Sequence, residues 1–197
     1  MGITKNIYIY GSSGHGKVVA DIARSCGYEN IIFLDDASDN KFNTNLEKFD
    51  IIIAIGDNKT RQILQEKVQK SGFNVVNLIH PSAIISPSVR LKTGIVVMPN
   101  VVINADAIIG NGVILNTSCV VEHDCIIGDF AHLSPNASLA GGVKVGKLTH
   151  IAIGASVIQK INIGDNTTIG AGSVVVRDMA HNVVAVGIPA KIIKEKI

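Results

Sequence analysis

Aliphatic residues recur at every sixth position through the second half of the chain. The series continues without insertion over sixteen positions. It comprises Ile85, Leu91, Val97, Ile103, Ile109, Leu115, Val121, Ile127, Leu133, Leu139, Val145, Ile151, Val157, Ile163, Ile169 and Val175. Neither the 3.6-residue period of a helix nor the two-residue period of a strand produces a period of six. The pattern therefore predicts a repeat architecture built from six-residue units.

A second column of mostly small or β-branched residues lies four positions after the first. Its members include Val89, Ile95, Val101, Ala107, Val113, Cys119, Cys125, Ala131, Ala137, Val143, Thr149 and Ala155. Glycines follow the aliphatic residue directly at positions 110, 128, 146, 164 and 170, where a turn needs a small residue or a left-handed backbone. Each unit is interpreted as a short strand plus a corner, and three units close a triangular coil of about 18 residues. The sixteen units predict slightly over five coils, stacked at about 4.8 Å.

The first part of the chain has a different pattern, in which short apolar runs alternate with helical ones. Strands are predicted at residues 7–10, 31–34, 51–55 and 75–79. Between the first two, one helical face carries Val18, Val19, Ile22, Ala23 and Cys26, and between the last two a helix over 58–70 carries Ile63, Leu64 and Val68. Glycines at 27 and 72 end these helices. The order predicts a Rossmann-like βαβ domain with a parallel sheet over residues 1–80, followed by the repeat domain over 81–197.

Composition narrows the choice of function. Apolar residues make up 47% of the chain, enough for a sizeable core, and a net charge of +2 gives no basic block of the kind that follows nucleic acid. No apolar run approaches the roughly 20 residues that cross a bilayer, and residues 1–6 lack the apolar core of a signal peptide, so we expect a cytoplasmic protein. Cys26, Cys119 and Cys125 have no metal-ligand spacing, and their odd number favours buried free thiols.

If one coil contains 18 residues, the number of residues between two side chains shows whether they lie one above the other in the stack of coils. His132 and His150 are 18 residues apart and share a column, whereas His123 and His132 are nine apart and do not meet within one subunit. Flat prism faces pack side by side, and a cyclic trimer would bring the column of His123 opposite the column of His132 of a neighbour. The pattern therefore favours an active site between subunits.

The chemistry centres on His123, which lies between Glu122 and Asp124. A histidine oriented by a carboxylate is a competent general base near neutral pH, although an isolated surface histidine is usually inert. Gly141 lies one coil above, and its backbone amide is a candidate donor to an oxyanion, an interaction typically worth about 3 kcal/mol. The alternative for Gly141 is a plain corner glycine. A zinc site built from three histidines at a subunit interface is the other alternative, but the close H-x4-H pair is absent.

A glycine-rich loop follows the first predicted strand and precedes the first helix. Its residues are Gly11, Ser12, Ser13, Gly14, His15 and Gly16. Backbone amides at such a helix start receive phosphate, but the loop is not G-x-G-x-x-G and so does not indicate a dinucleotide. Asp35, Asp36 and Gly56 follow the next two strands at the same edge, where acidic side chains can accept hydrogen bonds from a ribose or base. The alternative is three ordinary strand-to-helix turns.

Several stretches resemble the hexapeptide-repeat acyltransferases, specifically the sialic-acid O-acetyltransferase-like branch and, within it, the UDP-4-amino-sugar N-acetyltransferases of the bacillosamine pathway. The stretches are IYIYGSSGHG (7–16), IFLDD (32–36), AIGDN (54–58), NLIH (77–80), ILNTS (114–118), EHD (122–124) and GIPAK (187–191). The resemblance implies a left-handed β-helix closed by a C-terminal cap. It also implies acetyl-CoA as co-substrate, no metal, and a homotrimer.

The resemblance also assigns residues. It places these in the UDP-sugar site: Ser13, Gly14, His15, Asp35, Asp36, Gly56 and Asn116. His123 would deprotonate the C4 amine of the sugar, and Asp124 would raise its basicity. His132, with the backbone at Ile153 and Ala171, would contact acetyl-CoA. The chain departs from the family at Asp124, where glutamate is usual, and at Ala171, where glycine occurs.

These assignments imply direct transfer, with the Gly141 amide stabilising the oxyanion and no covalent enzyme intermediate. Four basic residues are either ligands of the CoA phosphates or solvated surface cations: Lys160, Arg177, Lys191 and Lys194. Rival acceptors are another nucleotide amino sugar, such as GDP-perosamine, or the hydroxyl of sialic acid. A non-catalytic or zinc-dependent hexapeptide scaffold is the rival of a different class.

Overall fold

The computed structural model describes residues 5–196; residues 1–4, part of the segment analysed for a signal peptide, lie outside the described residues, as does Ile197. The first part is a four-stranded parallel sheet in the order β2-β1-β3-β4 with two helices. Its elements are β1 (Asn6–Tyr10), α1 (Gly14–Ser25), β2 (Asn30–Leu34), β3 (Asp50–Ile53), α2 (Asn58–Lys70) and β4 (Asn74–Val75). Gly27 and Gly72 follow the helices with φ of 82° and 78°, as predicted for their ends.

Three predictions for this part are wrong in detail. The apolar run 75–79 is not one strand, because β4 ends at Val75 and the next strand, Leu78–Ile79, pairs with the β-helix. Strand β3 ends at Ile53, because the carbonyl of Ile55 turns to accept a hydrogen bond from the side chain of Arg61. Val18 is 41% and Ile63 55% exposed, so neither belongs to the buried face of its helix.

The second part is a triangular parallel β-helix with three faces. The docked face, which carries the first part of the chain, contains β5 (Leu78–Ile79), β8 (Val96–Val97), β11 (Ile114–Leu115), β14 (His132–Leu133), β17 (His150–Ile151) and β20 (Thr168–Ile169). The bare face contains β6 (Ile84–Ile85), β9 (Val102–Ile103), β12 (Val120–Val121), β15 (Ser138–Leu139), β18 (Ser156–Val157) and β21 (Val174–Val175). The charged face contains β7 (Arg90–Leu91), β10 (Ile108–Ile109), β13 (Ile126–Ile127), β16 (Lys144–Val145) and β19 (Asn162–Ile163).

The 18-residue coil is confirmed by the strand register, which pairs Val120 with Ser138 and His132 with His150. The strands make about six turns rather than slightly over five, because Ile79 extends the aliphatic column by one unit before Ile85. Both predicted columns point inward and are almost wholly buried. The resulting core continues into the first part, where it includes Ile9 and Ile52.

The corners use glycine differently from the prediction. A left-handed backbone occurs two residues after the predicted glycine positions, at Gly94, Asn100, Asp106, Gly112, Ser118, Asp124, Phe130, Asn136, Gly142, Leu148, Gly154, Lys160, Asn166 and Gly172. Gly128 and Gly146 are needed for their small size, because a Cβ there would lie 2.6 Å and 2.4 Å from the backbone nitrogen of the next coil. Of the two alternatives for these glycines, close approach is therefore correct.

The β-helix ends in an antiparallel hairpin formed by β22 (Val183–Gly187) and β23 (Ala190–Glu195), in agreement with the predicted cap. The three cysteines are free, with Cys119 and Cys125 buried and Cys26 half-buried against the carbonyl of Ile79. Within residues 5–196, neither helix is long and apolar enough to cross a membrane. The domain boundary at residue 80 stays a prediction.

Candidate active site

His123 lies at the corner that joins strand β12 of the bare face to strand β13 of the charged face. Its side chain is 63% exposed, and Nδ1 lies 2.8 Å from Oδ2 of Asp124. Asp124 has a φ of 60°, and its carboxylate reaches the imidazole although it is shorter than the glutamate that the sequence resemblance implies at this position. This hydrogen bond is the main cause that raises the pKa of His123. With Nδ1–H held by the carboxylate, the lone pair of Nε2 can accept a proton.

Gly141 provides the surface against which the imidazole lies. A Cβ at this position would be 2.5 Å from Nε2 and 2.6 Å from Cε1 of His123. The amide of Gly142 donates to the carbonyl of His123 at 2.9 Å, which holds the two corners together. The structure therefore gives Gly141 a steric role, while its amide as oxyanion donor stays a prediction.

His132 and His150 lie on the docked face and stack with ring centroids 5.0 Å apart and planes inclined by 22°. Asn116 Nδ2 lies 3.2 Å from His132 Nε2. Burial, followed by the charge of His150, lowers the pKa of His132 to about 3. Burial also lowers the pKa of His150, whose Nε2 lies 2.7 Å from Oγ of Ser134. Both rings are therefore neutral at physiological pH.

The glycine-rich loop turns toward these histidines. Gly11 has a φ of 122°, and helix α1 begins at Gly14 after Ser13, whose side chain makes no capping hydrogen bond. His15 is half-buried, and its Nε2 has no hydrogen-bond partner. Burial, followed by the charge of Arg61, lowers the pKa of His15 to about 4. The loop therefore presents free backbone amides and a neutral imidazole to a ligand.

The two acidic residues after strand β2 have different surroundings. Asp35 accepts hydrogen bonds from the backbone amide and hydroxyl of Ser12, at 3.2 Å and 2.5 Å, so it is attached to the glycine-rich loop. Asp36 accepts from the hydroxyl of Tyr10 at 2.7 Å and lies 3.9 Å from Lys67 of helix α2. Asp35 thus joins the predicted nucleotide site directly, whereas Asp36 bonds to the side of the sheet that α2 covers.

The residues predicted to contact acetyl-CoA do not lie together in one subunit. Ile153 and Ala171 are exposed at the corner that joins the docked face to the bare face, where the Gly172 amide donates to the Ile153 carbonyl at 2.9 Å. His132 lies on the docked face, and His123 lies at the far side of the bare face. The four candidate CoA-binding cations are all exposed. No group of metal-ligating side chains occurs among residues 5–196.

Arg61 is a further residue of this region, which no motif of the sequence indicates: it is 1% exposed and lies between the first part and the docked face. The signal is its spacing, because residues 61, 65 and 68 lie on one helical stripe and are the buried residues of α2. Because Arg and Gln are polar, this stripe does not stand out as the buried side of an amphipathic helix. The predicted buried face is instead the one that carries Ile63, which is exposed.

Comparisons of the sequence and of the structure with known proteins point to the same family. Residues 6–68 match the family described as the PglD N-terminal domain. A 111-residue segment is 37% identical to UDP-N-acetylbacillosamine N-acetyltransferase of Bacillus subtilis (strain 168), covering 48% of this chain and 51% of that protein. The match thus spans about half the length of this curated relative.

Two solved structures match over nearly the whole length. One is a histidine-to-alanine variant of GDP-perosamine N-acetyltransferase from Caulobacter crescentus in complex with CoA and GDP-perosamine, with 41% identity, a TM-score of 0.92, and 98% of this chain and 99% of that chain covered. The other is the acetyltransferase domain of PglB from Neisseria gonorrhoeae with acetyl coenzyme A, with 37% identity, a TM-score of 0.92, and 96% and 100% covered. They confirm the predicted fold class of a Rossmann-like domain followed by a left-handed β-helix.

Proposed function

Because the chain belongs to the family of hexapeptide-repeat nucleotide-sugar N-acetyltransferases, we propose that it transfers the acetyl group of acetyl-CoA to the C4 amine of a UDP-linked amino sugar. The observation that carries the proposal is the pair formed by His123 and Asp124, with Nδ1 and Oδ2 2.8 Å apart and Nε2 free to act as a base. An imidazole oriented in this way is suited to remove a proton from an attacking amine.

The proposed reaction is a direct transfer. The neutral amine attacks the thioester carbonyl, and Nε2 of His123 takes the proton that the nitrogen loses. The tetrahedral oxyanion is stabilised by a backbone amide, for which Gly141 is the candidate. The C–S bond then breaks, and the thiolate leaves as CoA and recovers the proton.

The nucleotide part of the acceptor is assigned to the region between the glycine-rich loop of the first part and the docked face of the β-helix. The free amides at Ser13 and Gly14 suit a diphosphate at the start of α1. His15 and Asn116 offer neutral polar groups, and Gly56 lies in the loop that follows the third strand. Asp35 and Asp36 are proposed to hold the nucleoside, with Asp35 the better placed of the two.

We also propose a homotrimer with the bare face turned toward the threefold axis. The outward residues of this face carry no charge: Ile84, Val102, Val120, Ser138, Ser156 and Val174. The charged face has Arg90 and Lys144 at the same positions, and the docked face is already covered. Three prisms that present one face to an axis meet at their corners.

This trimer would complete the acetyl-CoA site. The corner of one subunit that carries His123 would meet the corner of the next that carries Ile153 and Ala171. Acetyl-CoA would lie in the groove between them, with His132 of the second subunit behind this groove. A cytoplasmic location is part of the proposal, because Cys119 and Cys125 are free thiols.

A panel of UDP-, GDP- and CMP-linked amino sugars tests the substrate, with release of the CoA thiol as the readout. We expect the highest kcat/KM with a UDP-4-amino sugar. A GDP-linked 4-amino sugar is the second candidate, because the similarity to GDP-perosamine N-acetyltransferase covers 98% of the chain. Thiol release with none of the amino sugars, or only with sialic acid, would contradict the proposal.

A further inference from the structure

Arg61 of helix α2 is a buried cation whose partners are almost all backbone carbonyls. Its Nε donates to Gly112 O at 2.7 Å, Nη1 to Ile55 O at 2.9 Å and Gly56 O at 3.1 Å, and Nη2 to Phe130 O at 2.9 Å. Nη2 also donates to Oδ1 of Asn58 at 2.8 Å, and no carboxylate of the described residues forms an ion pair with Arg61. The planar guanidinium therefore uses its donors in several directions at once.

These acceptors belong to two different parts of the chain. Ile55 and Gly56 form the loop after strand β3, at the edge where the nucleotide is proposed to bind. Gly112 and Phe130 occupy adjacent coils of the corner that leads into the docked face. A single rigid side chain thus attaches the loop to the β-helix.

Simple docking of α2 does not require a charge at this position. Burying a cation without an ionic partner is unfavourable, and an apolar side chain of similar volume often stabilises such an interface as well or better. The guanidinium instead fixes the relative positions of its acceptors, because each N–H forms a good hydrogen bond only within a narrow range of angles. Burial is the main cause that lowers the pKa of His15, His132 and His150, and the charge of Arg61 contributes to each shift.

We infer that Arg61 is a positioning residue for the acetyl transfer, which fixes the loop of Ile55 and Gly56 relative to the docked face and so sets where the bound nucleotide sugar places its amine. The inference rests on the proposed function, because it assumes that the loop holds the nucleotide. Arg61 itself is buried behind the backbone and touches no reacting atom.

The test compares Arg61→Lys and Arg61→Met with Gln65→Leu. Gln65 lies one turn further along the same helix, is also 1% exposed, and contacts the β-helix through Thr93 O at 3.3 Å without contacting Ile55 or Gly56. We expect both Arg61 variants to lose on the order of 100-fold in kcat, the loss typical of a reactant misplaced by about 1 Å. The dissociation constant of UDP should change only a few-fold, because the glycine-rich loop that is proposed to hold the diphosphate is intact, whereas the position of the sugar depends on the loop of Ile55 and Gly56. Gln65→Leu should keep wild-type kcat.

A purely structural role predicts a different outcome, in which the Arg61 and Gln65 variants lower the melting temperature alike and all keep kcat; that result would overturn the inference. Should both Arg61 variants fail to fold, Asn58→Ala removes one acceptor of the guanidinium at a half-buried position, together with the amide that donates to the carbonyl of Leu148. We expect it to lower kcat about tenfold with the fold intact, and an unchanged kcat would again overturn the inference. Failure of the proposed function is distinguishable, because wild-type protein would then acetylate no nucleotide amino sugar.

Discussion

At the corner after strand β12, the backbone conformation of Asp124 brings its carboxylate within hydrogen-bond distance of the imidazole of His123. Asp124 has a left-handed φ of 60°, the same conformation that other corners take at the equivalent position. In this place the conformation turns the carboxylate back to Nδ1 of His123. The repeat therefore supplies, without additional structure, the arrangement that orients a general base.

The pH dependence of activity should report on this pair. Because the hydrogen bond to Asp124 raises the pKa of His123, the base becomes protonated and inactive at a higher pH than an ordinary histidine. Wild-type kcat/KM should fall as the pH drops through that raised pKa. In Asp124→Asn the acidic limb should move to lower pH and the plateau should fall about tenfold, because a weaker base accepts the proton. An acidic limb at the same pH in both proteins would show that another group titrates.

Gly141→Ala should disable the base by displacing it. The new Cβ would lie 2.5 Å from Nε2, so the imidazole must move off its surface. We expect kcat to fall on the order of 100-fold while the melting temperature changes little, because the exposed ring can swing into solvent. Ala105→Gly is the matched control, since Ala105 lies one coil below His123 and accepts from the Asp124 amide only through its backbone. Equal kcat in Gly141→Ala and wild type would remove this role from Gly141.

The sequence is informative about residues that act locally and less so about those that act through the fold. His123 and Asp124 are adjacent, so the motif alone predicts their contact. Residues 35 and 36 are also adjacent, but only the structure shows that Asp36 bonds to Tyr10 while Asp35 joins the glycine-rich loop. The acceptors of Arg61 lie as far away as Phe130, and no local pattern in α2 indicates them.

The elements of the β-helix are two-residue strands, so its stability depends on the corners and the inward columns. Gly146 and Gly154 illustrate the two demands on a corner. A Cβ on Gly146 would approach the next coil, whereas Gly154 has a φ of 65° and nothing within 4 Å of an added Cβ.

This difference predicts that a side chain destabilises the protein more at Gly146 than at Gly154. Gly146→Ala should lower the free energy of unfolding by about 1–3 kcal/mol, because the stacked coils must separate. Gly154→Asn should lower it by less than about 1 kcal/mol, because asparagine readily adopts a left-handed backbone. Urea denaturation at one protein concentration measures both, and equal losses would contradict the distinction between size and conformation.

The six-residue period predicts the short strands of the β-helix, but it does not show at which residue the repeat begins. Val75 and Ile79 stand in one apolar run, yet they pair with different sheets because the chain crosses from the first part to the β-helix between them. Propensity also fails at Phe130 and Leu148, which adopt left-handed backbones that their side chains disfavour. Packing of the coils overrides local preference there.

The three faces of the prism have different surroundings, and this asymmetry organises the whole molecule. One face carries the first part of the chain, one carries charges, and the bare face is left without either. The columns of His123 and of Ile153 flank the bare face on opposite sides, so a site that uses both requires a neighbouring subunit.

A charge on the bare face should therefore break the assembly. Val120→Lys places an ammonium group near the proposed threefold axis, where three such groups would repel one another. Ile108→Lys makes the same change at the equivalent position of the charged face and serves as control. Sedimentation velocity should show a trimer for wild type and Ile108→Lys and a monomer for Val120→Lys, with activity lost only in the latter. A trimer of Val120→Lys would place the interface elsewhere.

The most direct test of the central claim is quantitative mass spectrometry of a UDP-4-amino sugar incubated with acetyl-CoA and either wild-type protein or His123→Ala. The account predicts one N-acetylated sugar for each CoA released by wild type. It predicts a rate on the order of 100- to 10,000-fold lower for the variant, with an unchanged melting temperature because the side chain is 63% exposed. Acetylation at the wild-type rate by His123→Ala, or CoA release without acetylated sugar, would contradict it.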